Sequence, residues 1–195
     1  MCDGRSQTQA VVWLGDAFSA TAPVLAHGRP LPTLVLGAGL IKGERQDWLI
    51  EKASELGVDA FVPLTLDHCV VRLRAATEKQ ARWQAIADSA LEQCGRTWQM
   101  AVAPAQTLAS WLAAGAGWFA DETGGQPWAG LAAAPRGAPL RVALGPEGGW
   151  SSGERALLAS AGAQAISVGP LVLRAETAAL AVAAIARCVA QEPAA

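Results

Sequence analysis

Residues 140–154 read LRVALGPEGGWSSGE and predict a strand, a glycine-containing loop and a capped helix. The apolar run 140–144 is typical of a buried strand. Ser151 and Glu154 have the Ser-x-x-Glu spacing of a capping box, which opens a helix. In open α/β sheets, ligands bind in the loop between the carboxyl end of a strand and the next helix. A tight turn that needs glycine for its backbone dihedrals explains the same residues equally well.

The rest of the chain alternates short apolar runs with helical segments, which predicts an α/β fold with a parallel sheet flanked by helices. Thr77 and Gln80 have the spacing of a second capping box, while Gly57 and Gly95 are placed to end helices. Besides 140–144, strands are expected at 33–37, 58–64, 100–103 and 165–168, and helices at 43–57, 77–94, 107–113, 151–161 and 176–190. We expect a loop at 124–139 and one or two strands with a proline-containing linker in the first thirty residues.

Composition limits the kinds of function. The chain has 195 residues, of which 52% are hydrophobic and 16% charged, so we expect a folded core. Fifteen Lys and Arg against 17 Asp and Glu give a net charge of −2, which offers nucleic acid no general attraction, so an RNA site must be a local patch. No apolar stretch approaches the roughly 20 residues of a membrane span, and the N-terminal residues lack an apolar signal region. We therefore expect a cytoplasmic protein.

Several familiar sites are not supported. The glycine loop lacks the G-x-G-x-x-G spacing of dinucleotide-binding folds and the Gly-Lys-Ser/Thr of a P-loop. His27 and His68 have no cysteine or carboxylate partner at ligand spacing, which argues against a metal site and a Ser-His-Asp hydrolase. The four cysteines contain no C-x-x-C pair, and we expect reduced thiols.

Two polar groups stand out near the C-terminus. Arg174 lies between Leu173 and Ala175, and a partly buried guanidinium there needs a carboxylate or phosphate partner. Glu176 lies in the first turn of a helix, where a carboxylate is stabilised by about 0.3–1 kcal/mol without any functional role. In the first half of the chain, several cations have few acids close by in sequence, which a solvated surface explains most simply.

Five segments match in order those of the ribosomal RNA small subunit methyltransferase E family, which the chain resembles from about residue 32 to 190. They are KGERQDW (42–48), EKASELGV (51–58), EQCGR (92–96), LGPEGG (144–149) and LRAETA (173–178). The family belongs to the SPOUT class of S-adenosylmethionine-dependent RNA methyltransferases. The resemblance implies a SPOUT-type parallel sheet flanked by helices with a C-terminal trefoil knot, a rare exception to the rule that chains do not thread loops.

The resemblance also implies two regions. Residues 1–31 are expected to be a remnant of a small PUA-like β-barrel with its linker, and residues 32–195 the SPOUT methyltransferase domain. The sequence departs from the family at Asp67-His68-Cys69, where a Glu-Arg pair is usual, and at Ala175, where Thr is frequent. The first departure removes a possible RNA-binding arginine, so it concerns RNA affinity more than cofactor binding.

The implied reaction is methyl transfer from S-adenosylmethionine to N3 of a uridine in 16S small-subunit ribosomal RNA. Arg174 is the candidate for stabilising the uracil oxygen or anion, and Glu176 for positioning or proton acceptance. The residues implied to bind the cofactor are Leu144, Gly145, Pro146, Glu147, Gly148, Gly149, Val168, Gly169, Leu171, Leu173 and Arg174. The residues implied to bind RNA are Lys42, Arg45, Arg72, Arg74 and Arg96.

The implied partners are ribosomal RNA or the 30S particle and a second copy of the chain, with no DNA and no membrane. The alanine-rich C-terminal helix has little polar surface, and the resemblance makes it the homodimer interface. Two alternatives stay open. One is a knotted S-adenosylmethionine-binding dimer without productive RNA methylation, and the other is a sibling SPOUT methyltransferase acting on another RNA.

Overall fold

A computed structural model describes residues 7–8, 11–13, 17–20, 25–26, 32–71, 76–127, 131 and 138–191. Its helices are α1 (Glu44–Glu55), α2 (Ala76–Cys94), α3 (Leu108–Ala113), α4 (Ser152–Ser160) and α5 (Ala175–Gln191). Four short strands come first: β1 (Gln7–Thr8), β2 (Val11–Trp13), β3 (Phe18–Ala20) and β4 (Leu25–Ala26). The main sheet contains β5 (Leu34–Gly39), β6 (Ala60–Thr65), β7 (Ala101–Val102), β8 (Gln106–Thr107), β9 (Trp118–Ala120), β10 (Gln126–Pro127), β11 (Leu140–Leu144) and β12 (Gln164–Ser167).

The main sheet is parallel throughout, as predicted. Its order is β10-β12-β9-β11-β5-β6-β7, and β8 also pairs with β6. Strand β11 lies in the middle, with Leu140 opposite Leu34 of β5 and Val142 opposite Trp118 of β9. Because neighbouring strands run in the same direction, the carboxyl ends of β9, β11 and β12 meet at one edge. The loops that leave this edge form the candidate site.

Helices cover both faces of the sheet. Leu34 and Leu36 of β5 belong to a core cluster that includes residues of α1, α2 and α5, whereas Val35 packs against the cluster that contains Trp111 and Leu158. The alternation follows from the strand period of two, which sends successive side chains to opposite faces. Among the described residues, no helix has both the length and the apolar character needed to cross a membrane.

A buried ionic cluster joins α5 to the sheet. Arg187 forms an ion pair with Asp59 and donates from Nε to the Gly57 carbonyl at 3.0 Å. Asp59 Oδ2 also accepts the Leu34 amide at 2.7 Å, at the start of β5. Arg96 lies 3.7 Å from Asp59. The cluster therefore connects α5, β5 and the segment between α1 and β6.

Arg96 must be removed from the set of predicted RNA-binding residues. It is only 7% exposed, and its guanidinium donates to the Ser54 and Val58 carbonyls, both at 2.7 Å. Its charge also faces Asp59 and lies 5.0 Å above the ring of Trp98. A guanidinium held in this way cannot reach an RNA phosphate while the fold is intact.

The local predictions had different outcomes. The capping box at Ser151 is confirmed, with the Glu154 amide donating to Ser151 Oγ at 3.2 Å and the Ser151 amide to Glu154 Oε2 at 2.8 Å. The second capping box is wrong, because α2 already includes Ala76 and the Gln80 side chain donates from Nε2 to the Val102 carbonyl instead, at 2.9 Å. Gly57 ends α1 with a φ of 82°, as predicted.

Two further differences concern short strands. Strand β9 was not expected from the sequence, and β10 lies inside the segment 124–139 that was expected to be a loop. Most of that segment, and most of the first thirty residues, falls outside the described part of the chain. The trefoil knot and the barrel remnant stay predictions.

Candidate functional site

A pocket of about 410 Å³ opens at the edge where β9, β11 and β12 end. Its walls come from the β11–α4 loop (145–151), the β12–α5 loop (168–174) and residues 120–122 at the carboxyl end of β9. All the residues that the resemblance assigns to the cofactor lie on these walls: Leu144, Gly145, Pro146, Glu147, Gly148, Gly149, Val168, Gly169, Leu171, Leu173 and Arg174. Two segments that are separate in sequence therefore face each other across one cavity.

The β11–α4 loop is a tight turn as well as a pocket wall. The Gly149 amide donates to the Pro146 carbonyl at 2.9 Å, and Gly149 has a φ of 68°, which favours glycine. Gly39, at the end of β5, lets this loop approach closely, because a Cβ there would lie 2.8 Å from the Pro146 nitrogen. Glycine therefore serves two purposes here: Gly149 adopts the backbone conformation of the turn, and Gly39 leaves room for the loop beside β5.

His68 holds the turn by hydrogen bonding to its backbone. Its Nδ1 lies 2.9 Å from the Gly148 carbonyl oxygen and 3.1 Å from that of Gly149. Because carbonyl oxygens only accept, Nδ1 must carry the hydrogen. A Cβ on Gly148 would come within 2.8 Å of the His68 Cβ, so a glycine is needed for this contact. Sequence reasoning missed His68, since its partners are distant in sequence.

A second contact fixes the other end of the β11–α4 loop. Ser151 Oγ donates to Asp67 Oδ2 at 2.6 Å, and the Asp67 amide donates to Glu154 Oε1 at 2.8 Å. Glu154 is buried, so the capping box also connects α4 to the segment that follows β6. Asp67 and His68 therefore hold the loop at two points, at Ser151 and at the Gly148 and Gly149 carbonyls.

Acidic groups line the wall that follows β9. Asp121 forms an ion pair with Arg155, and the Thr123 amide donates to Asp121 Oδ1 at 3.0 Å. Burial raises the pKa of Asp121, but the hydrogen bonds from Arg155 and Thr123 outweigh it and hold the pKa below its usual value. Glu122 lies 3.9 Å from Arg155, and its side chain is 45% exposed. The sequence carried no motif at these positions, so both acids were missed.

Arg174 and Glu176, the two candidate catalytic residues, lie in different positions relative to the pocket. Arg174 is exposed on the pocket wall, and no described side chain forms a hydrogen bond or ion pair with it. Glu176 is buried beside the pocket, in the first turn of α5, and is not part of the wall. Its Oε1 lies 3.5 Å from Nη1 of Arg45, whose Nη2 lies 2.9 Å from Glu147 Oε1.

Only some of the cations predicted to bind RNA can be located on the surface of the described part of the chain. Lys42 is exposed just before α1, close in sequence to Arg45. Arg72 and Arg74 lie outside the described residues. Within the described ranges, no group of His, Cys, Asp and Glu side chains could hold a metal ion.

Residues 29–187 match the RNA methyltransferase domain family. The chain belongs to this family. Its relatives include the ribosomal RNA small subunit methyltransferase E of Bacillus subtilis, at 33% identity over 79% of this chain and 65% of the relative. The chain thus spans less than two thirds of that relative's length.

Solved structures show the same fold as this RNA methyltransferase domain. A Legionella pneumophila protein described as a methyltransferase, solved with bound S-adenosylmethionine, is 28% identical and has a TM-score of 0.80 over 95% of this chain and 80% of that one. The ribosomal RNA small subunit methyltransferase E of Neisseria gonorrhoeae, also bound to S-adenosylmethionine, is 30% identical with a TM-score of 0.76, over 94% and 79% of the two chains. The predicted α/β fold with helices flanking a parallel sheet is confirmed.

Proposed function

We propose that this chain transfers a methyl group from S-adenosylmethionine to N3 of a uridine in 16S small-subunit ribosomal RNA. The observation that carries the proposal is the pocket, where the LGPEGG and LRAETA segments face each other at the carboxyl edge of a parallel sheet. Two solved relatives of the same fold have S-adenosylmethionine bound. The order of the five family segments supports the RNA substrate and the position of methylation.

The pocket suits the cofactor in size and charge. Its volume of about 410 Å³ lies within the roughly 300–1,000 Å³ of small-molecule sites. The wall carries the carboxylates of Asp121, Glu122 and Glu147, and S-adenosylmethionine carries a sulfonium and an ammonium group. The glycine backbone at 145 and 148–149 leaves amide and carbonyl groups close to the cavity. We assign the cofactor to the two loops and the acidic wall.

Arg174 is the residue proposed to act on the substrate. When bound, S-adenosylmethionine would supply an electrophilic methyl group and leave as S-adenosylhomocysteine. The uridine N3 that takes the methyl group would release its weakly acidic proton to water. Because the Arg174 guanidinium lies on the wall without a described partner, its donors remain free to stabilise negative charge on a uracil oxygen. Glu176 lies off the wall, so we assign it the positioning role rather than proton acceptance.

The remaining assignments follow the resemblance. We propose that Lys42, together with Arg72 and Arg74 outside the described residues, contacts the RNA backbone, and that the protein acts in the cytoplasm. Residues 1–31 are proposed as the barrel remnant and 32–195 as the methyltransferase domain. The homodimer is proposed at α5, whose buried Ala179, Val182, Ala183 and Ala186 face the core, while the small residues Ala181 and Ala184 lie elsewhere on the helix and are only partly buried.

The test is transfer of a labelled methyl group from S-adenosylmethionine to unmodified RNA. The purified chain is incubated with 30S particles, naked 16S RNA, 23S RNA or transfer RNA, and incorporation is counted. We expect label in 30S particles or 16S RNA. Label only in transfer RNA would favour the sibling enzyme, and no label with cofactor binding intact would favour the non-enzymatic dimer.

A further inference from the structure

Arg45 connects the two loops that form the pocket. It is in the first turn of α1, and its guanidinium reaches across to two carboxylates. Nη2 donates to Glu147 Oε1 at 2.9 Å, and Glu147 belongs to the β11–α4 loop. Nη1 lies 3.5 Å from Glu176 Oε1, and Glu176 follows directly after the β12–α5 loop. A single side chain outside the cavity therefore connects Glu147 of one wall with the first turn of the helix that follows the other wall.

The burial of the Glu176 carboxylate explains why the Arg45 guanidinium is needed beside it. The Glu176 side chain is 7% exposed, and its Oε2 has no hydrogen-bond partner within the described part of the chain. A buried carboxylate without a nearby cation is costly. The first turn of α1 is an unfavourable place for an arginine, because the helix dipole is positive there. The two carboxylates, rather than the helix, explain the position of Arg45.

The shape of the side chain matters as much as its charge. The planar guanidinium presents separate N–H groups, which lets Arg45 contact Glu147 and Glu176 at the same time. A lysine ammonium is a point charge on a flexible stem and lacks the rigid fork of a guanidinium, so it would hold the two carboxylates less firmly. The pair of contacts thus predicts that lysine is an incomplete substitute.

We propose that Arg45 is a positioning residue that holds the β11–α4 and β12–α5 loops at the separation S-adenosylmethionine requires. This proposal rests on the proposed function for the identity of the ligand. It replaces the role of RNA-backbone contact that the resemblance implied for this residue. The two roles differ in one measurable respect, since loop spacing affects cofactor binding in the absence of RNA and a phosphate contact does not.

The first experiment measures S-adenosylmethionine affinity by calorimetry without RNA. We expect Arg45→Met to weaken binding about tenfold, equivalent to about 1.4 kcal/mol, and Arg45→Lys to fall between Arg45→Met and the parent. The matched control is Arg82→Met, because Arg82 also pairs with an acid of α1, Asp47, at 2.6 Å, but its side chain is 69% exposed and neither residue lines the pocket. We expect Arg82→Met to retain the parent affinity.

The second experiment separates a specific link from general destabilisation. In a double-mutant cycle, Arg45→Met and Glu176→Gln should be far from additive in their effect on cofactor affinity, because each removes the same contact. Hydrogen exchange of the cofactor-free protein should be faster in both 145–151 and 168–174 for Arg45→Met, and unchanged there for Arg82→Met. If Arg45 only stabilised the fold, Arg45→Met and Glu176→Gln would have additive effects on cofactor affinity. The changes in hydrogen exchange would then be spread over α1.

The outcomes that overturn the proposal are specific. Parent-like cofactor affinity in Arg45→Met, with a raised KM for RNA and a smaller salt dependence of RNA binding, would make Arg45 a phosphate contact. Additive effects in the cycle, or exchange changes confined to α1, would also overturn it. If the parent protein binds no S-adenosylmethionine, the proposed function fails, and hydrogen exchange still decides whether Arg45 links the two loops.

Discussion

Replacing Arg187 with methionine tests the buried ionic cluster that joins α5 to the sheet. The substitution removes the cation paired with Asp59, whose side chain is 1% exposed, and the donors to the Gly57 and Pro32 carbonyls. Removing one partner of a buried pair costs about 3–5 kcal/mol, because the other charge stays buried. Asp59 keeps the Leu34 amide at 2.7 Å and Arg96 at 3.7 Å, so we expect the lower end, about 3 kcal/mol.

Urea unfolding followed by circular dichroism measures this loss, with the free energy of unfolding obtained by linear extrapolation. At about 2–4 °C per kcal/mol for a chain of this size, the melting temperature should fall by about 6–12 °C. Arg82→Met is the control, since its exposed pair should contribute about 0–1 kcal/mol. If Arg187→Met cost no more than this control, the cluster would not be the buried link that the structure shows. Adding Asp59→Asn should recover part of the loss, because it removes the buried negative charge that Arg187 no longer balances.

Three further substitutions test the site. Arg174→Ala should lower the methyl-transfer rate about a hundredfold, as for loss of one oxyanion donor, while S-adenosylmethionine affinity in a binding titration falls far less; an unchanged rate would show that Arg174 does not act on the substrate. His68→Ala should weaken cofactor binding about two- to tenfold, which corresponds to the loss of one hydrogen bond of about 0.5–1.5 kcal/mol. His68→Asn should restore the affinity, because its side-chain amide can donate from the position of Nδ1. Equal affinities for the two variants would contradict the proposed hydrogen bond to the Gly148 carbonyl. The pKa of Asp121 is below its usual value of 3.8 in the folded protein, so its stabilisation is present above that value and lost as pH falls through the folded pKa. Asp121→Asn should therefore flatten the loss of stability below about pH 4, seen in acid unfolding; the same pH dependence in both proteins would show that the pair with Arg155 is not ionic.

The sequence was informative wherever a structure depends on neighbouring residues. Strand β11 and the Ser151 capping box were predicted at the residues where they occur, because apolar runs and cap spacing are local patterns. Most helices and strands were placed to within a few residues for the same reason. Strand β9 was missed, since three residues between glycine-rich turns are too few to show a period.

Contacts between distant segments were not predictable. Arg96 has few acids near it in sequence, which suggested a free cation, yet the fold places Asp59 beside it in the core. His68 and Gly148 likewise meet only because β6 and β11 end at the same edge of the sheet. The resemblance assigned Arg45 to RNA, and only the structure shows the carboxylates of Glu147 and Glu176 beside it. Sequence periodicity contains no information on such pairs.

The central claim is that the two facing loops place a uridine N3 against S-adenosylmethionine. Nucleoside mass spectrometry of 16S RNA, isolated from unmodified 30S particles after incubation with the chain and deuterated S-adenosylmethionine, tests it most directly. The account predicts labelled 3-methyluridine, abolished or strongly reduced by Arg174→Ala. Label in a ribose 2′-O-methyl nucleoside, or in any base position other than N3 of uridine, would contradict it.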